Sequence, residues 1–286
     1  MPPAENGSWL TDAVIYEIYP QSFQDTNGDG IGDLRGVIDR LDYIASLGVD
    51  AIWFNPCFAS PFFDAGYDVA DYLQIAPRYG TNDDMVELID KARERGIRII
   101  LDLVAGHTSI EHEWFQVELH ADGPSPEGDR YIWREDEPAS GWANDVPGQP
   151  AWVRSPGPRQ GWYLKNFYDE QPALNFGWVE PDPAHPWRQP LDAPGPLRNQ
   201  QALKDILDFW LGKGVAGFRV DMAFSLVKDE GLFQGWIASS AIWRNIREWL
   251  DEAYPDAVLI PEGEEPRTGE RLAFDADFML VIHAPH

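Results

Sequence analysis

The sequence predicts an α/β fold in which parallel strands alternate with helices and form an incomplete (β/α)8 TIM barrel, with about six of the eight strands present. Three observations lead there. Short apolar runs alternate with helical patterns through the first part of the chain and again after residue 199. Most of those runs are apolar throughout, as parallel strands covered on both faces are. Asp102, Asp221 and Glu262 stand at or just past the C-terminal ends of three runs, where barrel enzymes build their active sites. A doubly wound nucleotide-binding sheet shares the rhythm, but no glycine-rich phosphate turn follows the first strand.

Val14–Tyr19 is the first strand. Apolar residues at Val37, Ile38, Leu41, Ile44 and Leu47 have helical spacing, and Gly48 ends that helix before the strand Asp50–Phe54. Thr81 offers an N-cap to a helix carrying Met85, Val86, Leu88 and Ile89, and Gly96 closes it. Ile97–Val104 is the third strand. From 110 to 198 the chain is rich in Pro, Gly and Trp without helical period; so long a stretch inside a compact domain reads as a small inserted subdomain. Residues 1–109 and 199–286 then supply the two parts of the barrel. The second part holds a helix Gln200–Leu211, a strand Gly214–Val220, a helix Trp236–Tyr254, a strand Ala257–Ile260 and a sixth strand Phe274–Val281.

Charge narrows the partners. Against 22 basic residues stand 48 acidic ones, a formal charge of −26 that repels phosphate backbones and anionic membranes, so neither nucleic acid nor membrane is expected as a partner. A neutral substrate, a cation or a salty environment fits better, and an acid excess also serves solubility alone. One cysteine, Cys57, excludes an intramolecular disulfide. The N-terminus lacks a basic head followed by an apolar run, and no stretch reaches the roughly 18 apolar residues of a membrane span, so a cytoplasmic location is expected.

The most informative segment is Gly217-Phe-Arg-Val-Asp221. An Asp at a strand end, two residues after an Arg on the same face, reads as a carboxylate held ionised by a cation, which suits a glycosidase nucleophile. A structural ion pair is the other reading of this pentapeptide. Glu262 follows the apolar strand Val258-Leu-Ile260; a partly desolvated glutamate there would hold its proton more tightly, as a general acid must. Glu264 and Glu265 compete for that role.

Asp102-Leu-Val-Ala-Gly-His107, Gly217–Asp221 and the Glu262 strand resemble three ordered sequence regions of the α-amylase superfamily. Tyr16–Tyr19, Asp25–Asp33 and Gly66-Tyr-Asp68 match its opening, and Gln171-Pro-Ala-Leu-Asn175 is similar to the inserted-domain motif of its oligo-1,6-glucosidase and α-glucosidase branch. The resemblance implies a retaining α-glucosidase-type hydrolase acting on short oligosaccharides or disaccharides. It makes Asp221 the nucleophile and Glu262 the acid/base, with Arg219 positioning Asp221. Tyr67 becomes the apolar floor under the sugar ring, and Asp68 and His107 hydrogen-bond the sugar. Transglycosylation or isomerisation, as in trehalose synthase, runs through the same intermediate. A non-catalytic accessory relative would usually have lost the carboxylates.

The chain also departs from the family pattern. Gly106 stands where many members have Asn, which removes an oxygen ligand for the calcium that some amylases hold beside the inserted domain; Ala173 replaces the usual Asp; Pro261 and Gly263 flank Glu262. The His-Asp pair of the seventh strand has no counterpart, since His283 and His286 are not followed by Asp. The expectation is a barrel cut after its sixth strand, inactive or weak alone, with a complementing C-terminal segment or chain as partner. Finally, Asp25, Asn27, Asp29 and Asp33 carry oxygens at spaced positions, with Ile31 able to lend its carbonyl and Gly30 at the turn. This is the start of an EF-hand-like loop for a structural calcium or magnesium ion, though Gly36 stands where the bidentate Glu belongs.

Overall fold

The computed structural model describes residues 8–125, 128–138, 151–229, 233–263, 265–266 and 272–277. In chain order its elements are β1 (Ile15–Ile18), α1 (Leu34–Asp39), α2 (Leu41–Ser46), β2 (Ala51–Phe54), β3 (Phe58–Ala59), β4 (Asp71–Ile75), α3 (Asn82–Arg93), β5 (Arg98–Val104) and α4 (Glu113–Leu119). There follow β6 (Trp133–Arg134), β7 (Ala151–Arg154), β8 (Trp162–Lys165), α5 (Pro194–Leu211), β9 (Gly217–Asp221), α6 (Phe233–Ala253) and β10 (Val258–Pro261).

Five strands form one parallel sheet in the order β1-β2-β5-β9-β10. That order is strictly the order of the chain. A doubly wound sheet reverses direction at a switch point, whereas a barrel adds each strand beside the last, so the topology settles the alternative that the strand rhythm left open. Two apolar layers flank the sheet. Ile52, Leu101, Leu103 and Phe218 face the helices in the main core with Leu88, Ile206, Trp210 and Trp243. Ala51, Ile100, Val258 and Ile260 pack on the other face, against Trp9, Ile15 and Trp53.

Local signals explain most of the helix ends. Thr81 caps α3 through a reciprocal capping box with Asp84, and Gly96 leaves the helix at φ 75°. The helix expected from Val37 starts at Leu34 instead, because Asp33 accepts from the Gly36 N–H and nucleates it earlier. It also breaks at Arg40, whose φ of −103° and ψ of 4° separate α1 from α2. Helix α5 begins at Pro194, six residues ahead of the expected Gln200. Between α4 and α5 a small antiparallel sheet runs β6-β8-β7. The expected sixth strand is not formed over Phe274–Asp277; its remaining positions lie outside the described residues. Asp275 nonetheless lies against β10: its N–H donates to Leu259 O at 3.0 Å, and its carboxylate accepts from the Leu259 N–H at 2.8 Å.

Candidate active site

Strand alternation builds the site. Residues two apart on a strand share a face. Asp102 on β5 lies directly opposite Arg219 on β9, which lies opposite Ile260 on β10. Asp221 and Glu262 each stand two residues further along, and the Glu262 N–H extends the ladder to Val220 O at 2.8 Å. Three carboxyl groups and a guanidinium, drawn from a span of more than 150 residues, thus meet on one face at the strand ends.

Arg219 is bonded to all three. Its Nη1 donates to Asp102 Oδ1 and to Asp221 Oδ1, each at 3.0 Å, and its Nη2 lies 3.1 Å from Glu262 Oε1. Burial works against the guanidinium charge, yet Asp102, Asp221 and Glu262 outweigh it and hold Arg219 protonated more firmly than usual. One cation cannot neutralise three anions. Burial, then the charge of Arg219 working against it, leave Asp102 pushed up to about 6. Asp221 is raised well above the ordinary carboxylate range by burial first and the Asp102 charge second; Arg219 offsets this only in part, and a hydrogen-bond contact with Glu262 adds to it. Arg219 supplies the counter-ion that the sequence reading expected beside Asp221, but desolvation and two neighbouring carboxylates raise the proton affinity of Asp221 instead of lowering it.

Glu262 is also held from behind. The Met222 N–H donates to Glu262 Oε2 at 2.9 Å, and Met222 reaches that position with a left-handed φ of 41°. A non-glycine residue in that region costs on the order of 1 kcal/mol. Glu264, the rival acid/base, and His283 and His286 lie outside the described residues. Glu265 is turned inward, accepting from the Ala273 N–H at 3.1 Å and from Ser240 Oγ at 3.2 Å.

Of the remaining expected residues, Tyr67 joins the cluster. Its hydroxyl donates to Asp102 Oδ2 at 3.3 Å, and the Arg219 guanidinium lies 5.9 Å from its ring centroid. Asp68 is fully buried and spent on its own loop, accepting from Ser60 Oγ at 3.1 Å and from the Phe63 and Asp64 N–H groups at 3.0 Å. His107 is buried with both ring nitrogens occupied: Nε2 lies 3.1 Å from Tyr67 O and Nδ1 lies 3.1 Å from Asn166 Nδ2. Burial pulls its pKa down to about 3, so the ring is neutral. Sequence reasoning left Trp53 and Asn166 out of the site. Trp53 Nε1 donates to Asp102 Oδ2 at 3.3 Å, and period-two alternation along β2 was the available signal. Nothing local marked Asn166.

The motif Gln171–Asn175 earns its place by running antiparallel to the segment after β5. Thr108 N donates to Pro172 O at 3.3 Å and Leu174 N to Gly106 O at 3.0 Å, while Gln171 Nε2 donates to Asp64 Oδ2 at 2.8 Å. The motif therefore sutures two site loops together.

The Asp25–Asp33 loop stands apart from the carboxylate cluster. Asp25 accepts from the N–H groups of Asn27, Gly28 and Gly30 at 3.0, 2.7 and 2.9 Å. Asn27 accepts from Asp29 N at 2.9 Å and Asp29 from Ile31 N at 2.8 Å, a run of Asx turns; Asp33 holds Thr26 N at 3.0 Å and caps α1. Bonds from the Gly30 and Gly28 N–H groups keep the Asp25 carboxyl below its ordinary range. Among the described residues, no three His, Cys, Asp or Glu side chains converge as a ready set of metal ligands.

Comparison with known proteins fits this geometry. The family model described as alpha amylase, catalytic domain, matches residues 17–187. The trehalose synthase/amylase of Mycolicibacterium smegmatis is 39% identical over 263 residues, covering 90% of this chain and 41% of that relative. The oligo-1,6-glucosidase of Heyndrickxia coagulans is 42% identical over 227 residues, covering 77% and 37%. A solved α-glucosyl transfer enzyme superposes with a TM-score of 0.74 at 35% identity, over 88% of this chain and 49% of that one. The chain thus spans less than half the length of these relatives. Because the family match takes in more than half of its 286 residues and the parallel strands follow one another in barrel order, the chain belongs to the α-amylase family.

Proposed function

We propose that the protein is a retaining α-glucosidase-type hydrolase of short α-glucosides that works through a covalent glucosyl–Asp221 intermediate. The observation that carries this reading is the pairing of Asp221 with Glu262, two carboxyl groups held by one guanidinium at the ends of neighbouring strands. Retaining pairs lie about 5–5.5 Å apart, whereas inverting pairs need about 6.5–9.5 Å to admit a water. In the first step an Asp221 oxygen bonds the anomeric carbon as the glycosidic C–O bond breaks, and Glu262 gives its proton to the departing oxygen. In the second, Glu262 takes a proton from water, whose oxygen replaces Asp221 on that carbon. Asp102 and Arg219 fix the nucleophile, and the Tyr67 ring beside the guanidinium serves as the sugar floor. Asp68 and His107, whose polar atoms are already bonded, act through the loops that they hold.

A 5-fluoroglucosyl fluoride with the α configuration tests this reading, because it forms the glucosyl-enzyme faster than water removes it. Peptide mass spectrometry should find the label on the fragment containing Asp221. Label on another carboxylate, or turnover with no label at all, overturns the assignment. Transfer to a second sugar uses the same intermediate, and similarity to a trehalose synthase/amylase and to an α-glucosyl transfer enzyme favours it as the second reading. Product analysis with maltose as both donor and acceptor separates the two.

The Asp25–Asp33 loop we assign to one structural divalent cation, calcium in the first place and magnesium in the second. Five oxygen donors at Asp25, Asn27, Asp29, Ile31 and Asp33, on a backbone already turned by Asx bonds, support it. When bound, the ion would rigidify the approach to α1 and take no part in chemistry. A ligand that binds only the folded state stabilises it by mass action, so chelation should lower the melting temperature and added calcium restore it. An unchanged melting temperature disproves the site.

A further inference from the structure

Beside the carboxylate cluster, residues from four separate stretches form a hydrogen-bonded chain. Lys228, buried on the segment after β9, donates from Nζ to Asn166 Oδ1 at 3.1 Å and to Ser225 O at 2.5 Å. Asn166 Nδ2 lies 3.1 Å from His107 Nδ1 and 3.2 Å from Ser225 Oγ. His107 Nε2 lies 3.1 Å from Tyr67 O. The main chain pins these members. Lys228 N donates to Gly177 O and Val179 N to Lys228 O, both at 3.0 Å, and Asn166 N donates to Gln171 O at 3.0 Å.

The proton assignments follow from one end. An ammonium has donors and no acceptor, so it must face the carbonyl side of the Asn166 amide. That turns the amide NH2 toward His107, and since NH2 only donates, His107 Nδ1 must accept. In a neutral imidazole the proton then sits on Nε2, where it meets the Tyr67 carbonyl, which only accepts. Turning the amide over would set NH2 against the ammonium and an oxygen against an unprotonated nitrogen. We propose that Lys228, acting through Asn166, sets the tautomer of His107 and so anchors the Tyr67 backbone at the site. Lys228 and Asn166 are thereby positioning residues. Their relevance to catalysis rests on the reading of Tyr67 as the sugar floor.

Two further observations agree. Gly106 leaves the room that Asn166 occupies: a Cβ there would stand 2.6 Å from Ser225 Oγ and 2.8 Å from Asn166 Nδ2. Burial and then the Lys228 charge act against a proton on His107, while the Tyr67 carbonyl favours one; the net pull is down to about 3. Burial also draws Lys228 down to about 7, so below neutrality it is an ammonium.

The test is long-range 1H–15N NMR of the 286-residue chain labelled in histidine, at about pH 5.5, well below the Lys228 transition. A His107→Gln sample identifies the signal. We expect a single neutral Nε2–H tautomer; an Nδ1–H tautomer or an imidazolium in the wild-type chain overturns the proposal. In Asn166→Asp the carboxylate only accepts, so Nδ1 should gain a proton, and an unchanged His107 signal would contradict the relay. Lys228→Met, or Lys228→Gln should the first not fold, releases the amide and should replace the single tautomer with a mixture. An unmixed Nε2–H signal in that folded variant removes Lys228 from the argument. None of these readouts needs turnover. A chain with the expected tautomer that takes the glucosyl label on a carboxylate other than Asp221 would keep this inference and overturn the functional reading.

Discussion

Asp221→Asn is expected to lower turnover of an aryl α-glucoside by at least ~10⁴-fold, equivalent to roughly 5 kcal/mol of barrier, while leaving the protein as stable as before or more so. The amide keeps the shape and can still accept from Arg219, but it cannot ionise and attack. Its stability effect has the opposite sign for an electrostatic reason. Asp221 shares one guanidinium with Asp102 and Glu262, and removing one of three crowded carboxylates relieves repulsion that burial had amplified. The same crowding sets the pH profile. Only ionised Asp221 attacks, and its carboxyl is raised, so kcat/KM should fall on the acid side at a pH well above the ordinary carboxylate value of about 4. Turnover within tenfold of wild type, or an acid limb at the ordinary value, would remove Asp221 from the nucleophile's role.

The second large effect belongs to Arg219→Met, which should cost about 3–5 kcal/mol of stability at neutral pH, the range for breaking a buried pair and leaving its partners unpaired. Asp102 has no exposed side-chain surface and Asp221 very little, so water cannot replace the lost cation. The pH dependence has a definite sign. Without the cation both carboxyls rise further; the folded state then binds more protons than the unfolded, and stability is lost as pH increases. The penalty should therefore be smaller near pH 5 than near pH 8 in urea unfolding. Arg35→Met is the matched control. Arg35 also bridges two carboxylates, Asp84 at 2.7 Å and Glu87 at 2.8 Å, but with 43% of its side chain exposed, and its loss should cost under about 1 kcal/mol. Equal penalties for the two arginines would show that burial does not govern the cluster.

The five strands of the parallel sheet, the α3 cap and the acidic residues at strand ends were legible in the sequence, because each is a local pattern, whereas the order of those strands was fixed only by their pairing. Period-two alternation is a property of a strand, and it alone places Arg219 with Asp221 and Ile260 with Glu262 on shared faces. The capping box at Thr81 is contained in four consecutive residues. What required the tertiary structure was every quantity that depends on who arrives from elsewhere. The sequence shows one arginine beside one aspartate; the register of β5 against β9 brings in Asp102, the extension of β10 brings in Glu262, and the sign of the Asp221 shift reverses. His107 and Asp68 read as free polar groups until the loops bearing Tyr67, Asn166 and Phe63 close on them. Sequence spacing determined which side chains share a face with their chain neighbours. Desolvation and the count of charges around one guanidinium, both sums over distant segments, were decided only when the strands came together.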